Sequence, residues 1–143
     1  MGQQVGEPRA RRVRRQYDMA VVHAILDEAV VCHLGVVIHG DPLVLPTIHA
    51  RVGDNLCVHG AVAAASLKAM AGSAACCGTV SLVDGLVLAR SAFNHSLNCR
   101  SVVVQGPATL VESPEEKLSA LQALVEQVAP ERWADARPPS AWR

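Results

Sequence analysis

Between Val30 and His59 the chain offers three runs of β-favouring residues, separated by turns too short to be anything but hairpin connections. The first run, Val30-Val31-Cys32-His33-Leu34-Gly35-Val36-Val37-Ile38, is dense in β-branched side chains, which fit a pleated surface better than a helix. Gly40-Asp41-Pro42 makes a turn, and Leu43 to Val52 continues as a second strand carrying Pro46. Gly53-Asp54-Asn55 then turns into the short strand Leu56-Cys57-Val58-His59. Strands joined so closely are antiparallel, because a parallel crossover needs a dozen or more residues. An antiparallel meander is therefore the frame around which the rest must pack.

The remainder supplies more strands and only short helices. Asp18 is a good N-cap for a helix over Met19 to Ala29, where Val21, Val22, Ile25, Leu26 and Ala29 recur at helical spacing. Ala61 to Met70 is alanine-rich and predicts a short helix closed by Gly72. Ala75 to Val83 returns to strand, Asp84-Gly85 is a hairpin-type turn, and Leu86 to Ala89 is the partner strand. A polar loop from Arg90 to Arg100 precedes a strand over Ser101 to Val111. Ser113-Pro114-Glu115-Glu116 is a capping box with proline at the first helical position. The helix it opens carries an apolar stripe of Leu118, Leu121, Leu124, Val125 and Val128, and Pro130 ends it. Six strands in hairpin order predict a mainly β, α+β architecture, an antiparallel barrel with flanking helices. A doubly wound sheet would need a helix after nearly every strand. Residues 1–16 read as a basic tail and 17–143 as a single domain.

Composition narrows the function classes. Half of the 143 residues are hydrophobic and 18% are charged, enough apolar material for a real core. The formal net charge is zero, so nothing pulls the chain as a whole toward nucleic acid or acidic membranes. Arg9, Arg11, Arg12, Arg14 and Arg15 form a local basic run, but no aromatic residue is interleaved to stack on bases, and a solvated tail is expected. Tyr17, Phe93, Trp133 and Trp142 are the only aromatic residues, which makes the core aliphatic. With no secretion signal and no apolar run long enough to cross a bilayer, a cytoplasmic protein is expected. Cys32, Cys57, Cys76, Cys77 and Cys99 are odd in number and irregular in spacing, and read as reduced thiols.

Three groups of residues could carry chemistry. His33, His49 and His59 come from successive strands and could converge, and Cys57, two residues before His59, faces the same side as it does. Without CxxC, HxxxH or HExxH spacing, no metal site is expected. The neighbouring Cys76 and Cys77 face opposite sides of a strand and read as structural. His59-Gly60 ends a strand and opens a helix, offering free backbone N–H groups that suit a phosphate, with Ser66 and Lys68 on that helix as hydroxyl and cation. A plain strand-to-helix turn with a solvated lysine fits the same residues equally well. The stretch from Arg90 to Ser101 gathers two arginines, two asparagines, a histidine and three serines beside apolar strands, as an anionic ligand or a buried dimer contact requires. Arg100 is its candidate ligand-binding cation.

Several of these segments resemble one family. Tyr17-Asp18 leading to Ile25-Leu26-Asp27-Glu28-Ala29 and Val31-Cys32-His33, the block Val83-Asp84-Gly85-Leu86-Val87-Leu88-Ala89-Arg90-Ser91-Ala92-Phe93, then Asn94-His95-Ser96 and Arg100-Ser101-Val102-Val103-Val104, are similar to the pyridoxamine-phosphate-oxidase-like flavin-binding proteins, in the branch that includes nitroimidazole-resistance reductases. The resemblance implies a split β-barrel homodimer with FMN at the subunit interface, reducing a small organic substrate. It implies flavin-facing backbone at Pro46 and Thr47 and at the strand ending in His59, phosphate contacts from the turn and helix after Gly60, and a catalytic role for His59. Ala64-Ala65 stand where relatives carry Ser-Arg, which removes a hydroxyl and a cation. Relatives also continue beyond the region of Arg137-Pro138-Pro139 into further strands, so a truncated carboxyl end or a minimal barrel is expected. The alternative reading is a non-catalytic split barrel that binds a cofactor, flavin or haem.

Overall fold

A computed structural model describes residues 18–60, 65–71, 76–137 and 139, with the side chains of Ala65 and Ser66 outside that description. Helix α1 (Met19–Glu28) begins where the Asp18 carboxylate accepts the Ala20 N–H at 2.9 Å. Strands β1 (Val31–Ile38), β2 (Asp41–Val52) and β3 (Asn55–Val58) follow as the meander expected from the sequence. The first connection is the two-residue turn His39-Gly40, where both residues take positive φ (53° and 91°), the backbone twist that lets a right-handed strand pair close tightly. After β3 come helix α2 (Ala65–Ala71), strands β4 (Cys76–Val87) and β5 (Ser96–Gly106), and helix α3 (Pro114–Val128). The Ser113 hydroxyl accepts the Glu116 N–H, as the capping box requires. Ala61 to Ala64, including part of the expected helix and the departing residue Ala64, lie outside the described residues, as does the basic tail 1–16.

The five strands form one antiparallel sheet in the order β3-β2-β1-β4-β5. This is the split-barrel frame, with five strands rather than six. The correction lies at Asp84-Gly85, which is a bulge and not a turn: β4 runs straight through, and its pairing with β5 shifts between Val83 and Gly85. Gly85 does not take the positive φ a tight hairpin there would demand. The reversal comes later, at residues 88–95, where Ala92–Asn94 form a single 3-10 turn. The second half of the segment read as a polar loop is therefore strand, Ser96 to Arg100.

Alternation divides the sheet into two faces. Cys32, Leu34 and Val36 of β1 point inward and are buried, with Val80 and Val102 beside them. Ile25 and Leu26 of α1, with Ala29 just past its end, close over one end of this core, and Met70 of α2 closes over the other with Leu34 and Val36. The outward face of β1 and the adjoining part of β2 stays open, with Val31, Val37, Val44 and Ile48 exposed. Helix α3 covers only the β2–β3 end of that face.

Candidate functional site

The β2–β3 ladder ends at the pair His49–Val58, and His59, the next residue past β3, shares a groove with Ile48 of β2. Pro46, which pairs with His33 in the middle of β2, is exposed, as are His59 and Gly60 just past β3; Thr47 is half-buried, and its hydroxyl donates weakly to the Ile48 carbonyl at 3.4 Å. α2 folds back closely over the end of β3: a Cβ on Gly60 would come within 2.9 Å of Leu67 Cδ1, so a larger residue there would make the Leu67 side chain move. Lys68 on α2 is exposed and has no ion-pair partner among the described residues. Ser66 lies on α2, but its side chain falls outside the described residues.

Ile48 and His59 also line an open groove of about 220 Å³ against α3, whose Leu121, Leu124, Val125 and Val128 make its far wall and whose rim holds Arg132. The lining is almost wholly apolar, with the His59 imidazole and the Arg132 guanidinium as its polar groups. Such a groove suits a flat organic body that needs charge or hydrogen bonding at one edge only.

The three histidines do not converge. His33 is exposed on the outward face, His59 lies at the groove, and His49 is wholly buried on the inward side. Among the described residues, no cluster of three histidine, cysteine, aspartate or glutamate side chains could hold a metal ion. Instead, His49 Nε2 donates to the Leu26 carbonyl at 3.0 Å, since a carbonyl can only accept. Gln127 Nε2 donates to the carbonyls of Leu26, Asp27 and Ala29 at 3.3, 2.8 and 2.7 Å. The frayed carboxyl end of α1 is thus satisfied by side chains from β2 and α3. Nothing in the spacing of His49 or Gln127 announced that role.

Arg100 is placed differently from a free ligand-binding cation. Its guanidinium grips Glu28 at 2.6 and 2.9 Å and Asp84 at 2.8 to 3.1 Å. Hydrogen bonding to Arg100 holds both carboxyls below their ordinary range, and the two carboxylates raise the guanidinium in turn. A second pair does the same beside it, where Arg51 donates to Asp27 at 2.6 and 2.8 Å and depresses that carboxyl. Together they pin the end of α1 to β2, to the β4 bulge and to β5. Asp84 and Glu28 were not marked as site residues in the sequence, and the i-to-j separations of 16 and 72 residues give no local signal.

The family model for pyridoxamine 5'-phosphate oxidase matches residues 18–142. The chain belongs to this flavin-binding family. Among solved structures, it is 40% identical to the flavocytochrome Anf3 from Azotobacter vinelandii, with a TM-score of 0.79 over 88% of this chain and 58% of that one. It is 30% identical to an FAD- and haem-binding protein from Mycobacterium smegmatis, with a TM-score of 0.80 over 87% of this chain and 60% of that one. A putative 5-nitroimidazole antibiotic resistance protein from Bacteroides thetaiotaomicron shares the fold at 21% identity and a TM-score of 0.66, over 90% of this chain and 72% of that one. The chain spans about three-fifths of the length of the first two. A search of curated proteins gave no match.

The five cysteines are all free thiols. Cys32 and Cys57 are pushed above the usual thiol range by burial. Cys76 donates to the Gly106 carbonyl at 3.3 Å, which makes it a contact between β4 and β5. No helix among the described residues is long and apolar enough to cross a membrane.

Proposed function

We propose that this protein is a flavin-dependent oxidoreductase of a small organic substrate, working as a homodimer with FMN held where β3 ends beside the middle of β2. The observation that carries this reading is the groove in which His59, just past the end of β3, meets Ile48 of β2, next to Thr47 in the chain, with the helix bearing Lys68 packed against Gly60 through Leu67. A flavin needs a flat apolar support, backbone groups at its polar edge and a cation for its phosphate, and these residues offer that donor set. Bound there, the flavin supplies the hydride chemistry, and the protein supplies binding and orientation. Pro46 and Thr47 would hold the ring edge, and Lys68 of α2 would meet the phosphate. His59, exposed beside Ile48, holds a proton at the mouth of the apolar groove where a substrate would lie. Arg100 serves the site indirectly, by holding the end of α1 and the bulge of β4. A cytoplasmic, reduced setting agrees with five free thiols.

A second reading is favoured by the likeness to a flavocytochrome and to an FAD- and haem-binding protein: the flavin is FAD and haem is bound as well. The absorption spectrum of the purified protein, with mass analysis of whatever it releases on denaturation, separates these outcomes. Flavin bands with FMN released support the first reading; FAD with a Soret band supports the second. A colourless protein that takes up no flavin refutes both.

A further inference from the structure

Helix α3 sets Leu121, Leu124, Val125 and Val128 on one face, at the i, i+3, i+4 and i+7 positions, and this face walls the groove shared with Ile48 and His59. Leu124 is buried and belongs to the packing of α3 on the sheet. Val128 does not, for it is 52% exposed at the end of the wall nearest Arg132 in the chain. From Leu121 to Val128 the wall runs about 10 Å along the helix axis. The groove's volume of about 220 Å³ falls below the range of about 300–1,000 Å³ usual for drug-sized ligands. A single ring with a short substituent is the size of body it holds.

The polar rim of the groove is held in place by the backbone. The Glu126 carboxylate accepts the Glu131 N–H at 2.5 Å and the Trp133 N–H at 2.9 Å. Between them, the Arg132 N–H donates to the carbonyl of Ala129, itself a lining residue, at 3.2 Å. Glu131 takes the left-handed conformation (φ 65°), uncommon for a residue with a side chain, and redirects the chain after Pro130. Three consecutive N–H groups are thus engaged, and Arg132 is the middle one. Both oxygens of Glu126 are occupied by that backbone, and among the described residues no aspartate or glutamate lines the groove. The contact of Arg132 with Asp135 is long, 3.6 Å, between side chains 62% and 75% exposed. Solvated pairs of this kind contribute little, so the guanidinium donors stay available to a ligand.

We propose that this groove is a binding site for a small aromatic carboxylate, its ring between Ile48 and the α3 wall and its carboxylate on the Arg132 guanidinium. The inference rests on the oxidoreductase reading above in one respect, that it names the substrate class of that reaction and sets the ring beside His59. The sign of the ligand's charge follows from the rim. The carbonyls at the end of α3 carry roughly half an elementary negative charge, against the full positive charge of a guanidinium whose fork matches the two oxygens of a carboxylate. With Arg132 the rim selects an anion, and without it the helix end repels one. A groove that was merely apolar would favour the neutral amide of the same shape, which has no charge to desolvate. Glu126 is a positioning residue, acting on the ligand only through the backbone around Arg132.

Titration of the isotope-labelled full chain, carrying the cofactor it purifies with, tests this by nuclear magnetic resonance. The probes are 4-methylbenzoate, its neutral isostere 4-methylbenzamide and its cationic isostere 4-methylbenzamidine. The carboxylate should bind roughly tenfold or more tighter than the amide, with backbone N–H shifts centred on Ile48, Leu124, Val125 and Arg132. Arg132→Gln, checked for folding by circular dichroism, should lower carboxylate affinity about tenfold or more, leave the amide unchanged and rank the amidine above the carboxylate. Arg132→Lys should restore part of the preference, because lysine keeps the charge without the fork. Equal affinities for acid and amide, a preference that survives Arg132→Gln, shifts centred on α2, or no saturable binding of any probe overturns the proposal. A flavin-loaded protein without carboxylate preference overturns this inference alone. A protein that takes up no flavin refutes the oxidoreductase reading, and the same titration then still judges the groove.

Discussion

Replacing His49 by leucine tests whether the buried imidazole is a structural device or a functional group. His49 is fully buried, its Nε2 donates to the Leu26 carbonyl at 3.0 Å, and its Nδ1 has no partner among the described residues. The hydrogen bond contributes about 1 kcal/mol net, whereas leaving a polar atom buried and unpaired costs about 1–3 kcal/mol. His49→Leu removes both terms at similar volume. The Leu26 carbonyl is not orphaned, because Gln127 still donates to it at 3.3 Å. The balance predicts a variant between equally stable and about 2 kcal/mol more stable than the original. His49→Ala should instead lose about 2–4 kcal/mol, since the cavity is not refilled. Adding Gln127→Ala to His49→Leu strips Leu26 of both side-chain donors and should show a coupling of about 1–2 kcal/mol beyond additivity. Urea unfolding followed by circular dichroism, at one fixed protein concentration, measures these three variants together with the original protein and the single variant Gln127→Ala that closes the cycle. A loss of more than about 2 kcal/mol in His49→Leu would refute the reasoning, because it would mean that Nδ1 is satisfied and the imidazole is needed for more than capping α1.

Acid should weaken the fold through the two arginine clasps. Asp27, Glu28 and Asp84 are all depressed in the folded chain, chiefly by hydrogen bonds to Arg51 or Arg100, so their contribution is complete above the unfolded carboxyl values near 4 and is lost as pH falls through the lower folded values. Urea midpoints should stay flat from about pH 7 to 5 and drop below about pH 4, and the fall should be shallower in Arg51→Met, Arg100→Met. A colorimetric thiol reagent should label Cys99, which is exposed, well before Cys32, which is buried with a raised thiol pKa. Fast labelling of Cys32 in native protein would contradict the core assignment. Restoring the family pair with Ala64→Ser, Ala65→Arg should tighten FMN binding about tenfold, and Lys68→Ala should weaken it, by fluorescence-quenching titration. Unchanged affinity in both would remove the phosphate from this turn.

The barrel's first half was legible because its signals are local. Turn chemistry between β-branched runs gave the β1–β3 meander, Asp18 gave the start of α1, and Ser113-Pro114-Glu115-Glu116 gave the start of α3. The misreading at Asp84-Gly85 has a physical cause. Asp-Gly favours a tight hairpin, but a strand with one long partner can absorb the extra residue as a bulge and keep pairing, as β4 does with β5. Ser96, Asn98 and Arg100 then looked like loop because polar residues alternate there with Leu97 and Cys99, which is the pattern of a strand only once its partner is known. Of the candidate site, Pro46, Thr47 and His59 were named through family resemblance, and the fold sets His59 in one groove with Ile48, the neighbour of Thr47. His49, Gln127 and the Glu28–Arg100–Asp84 clasp were invisible because each joins residues far apart in sequence, and no periodicity reports such contacts.

Titration of the cofactor-stripped protein with FMN and with FAD, followed by flavin fluorescence, decides whether this chain holds a flavin and which one. Saturable quenching at one flavin per chain is expected, tightest for FMN, and weakened when Lys68 is replaced by alanine. No saturable binding of either flavin, with the chain folded by circular dichroism, would contradict it.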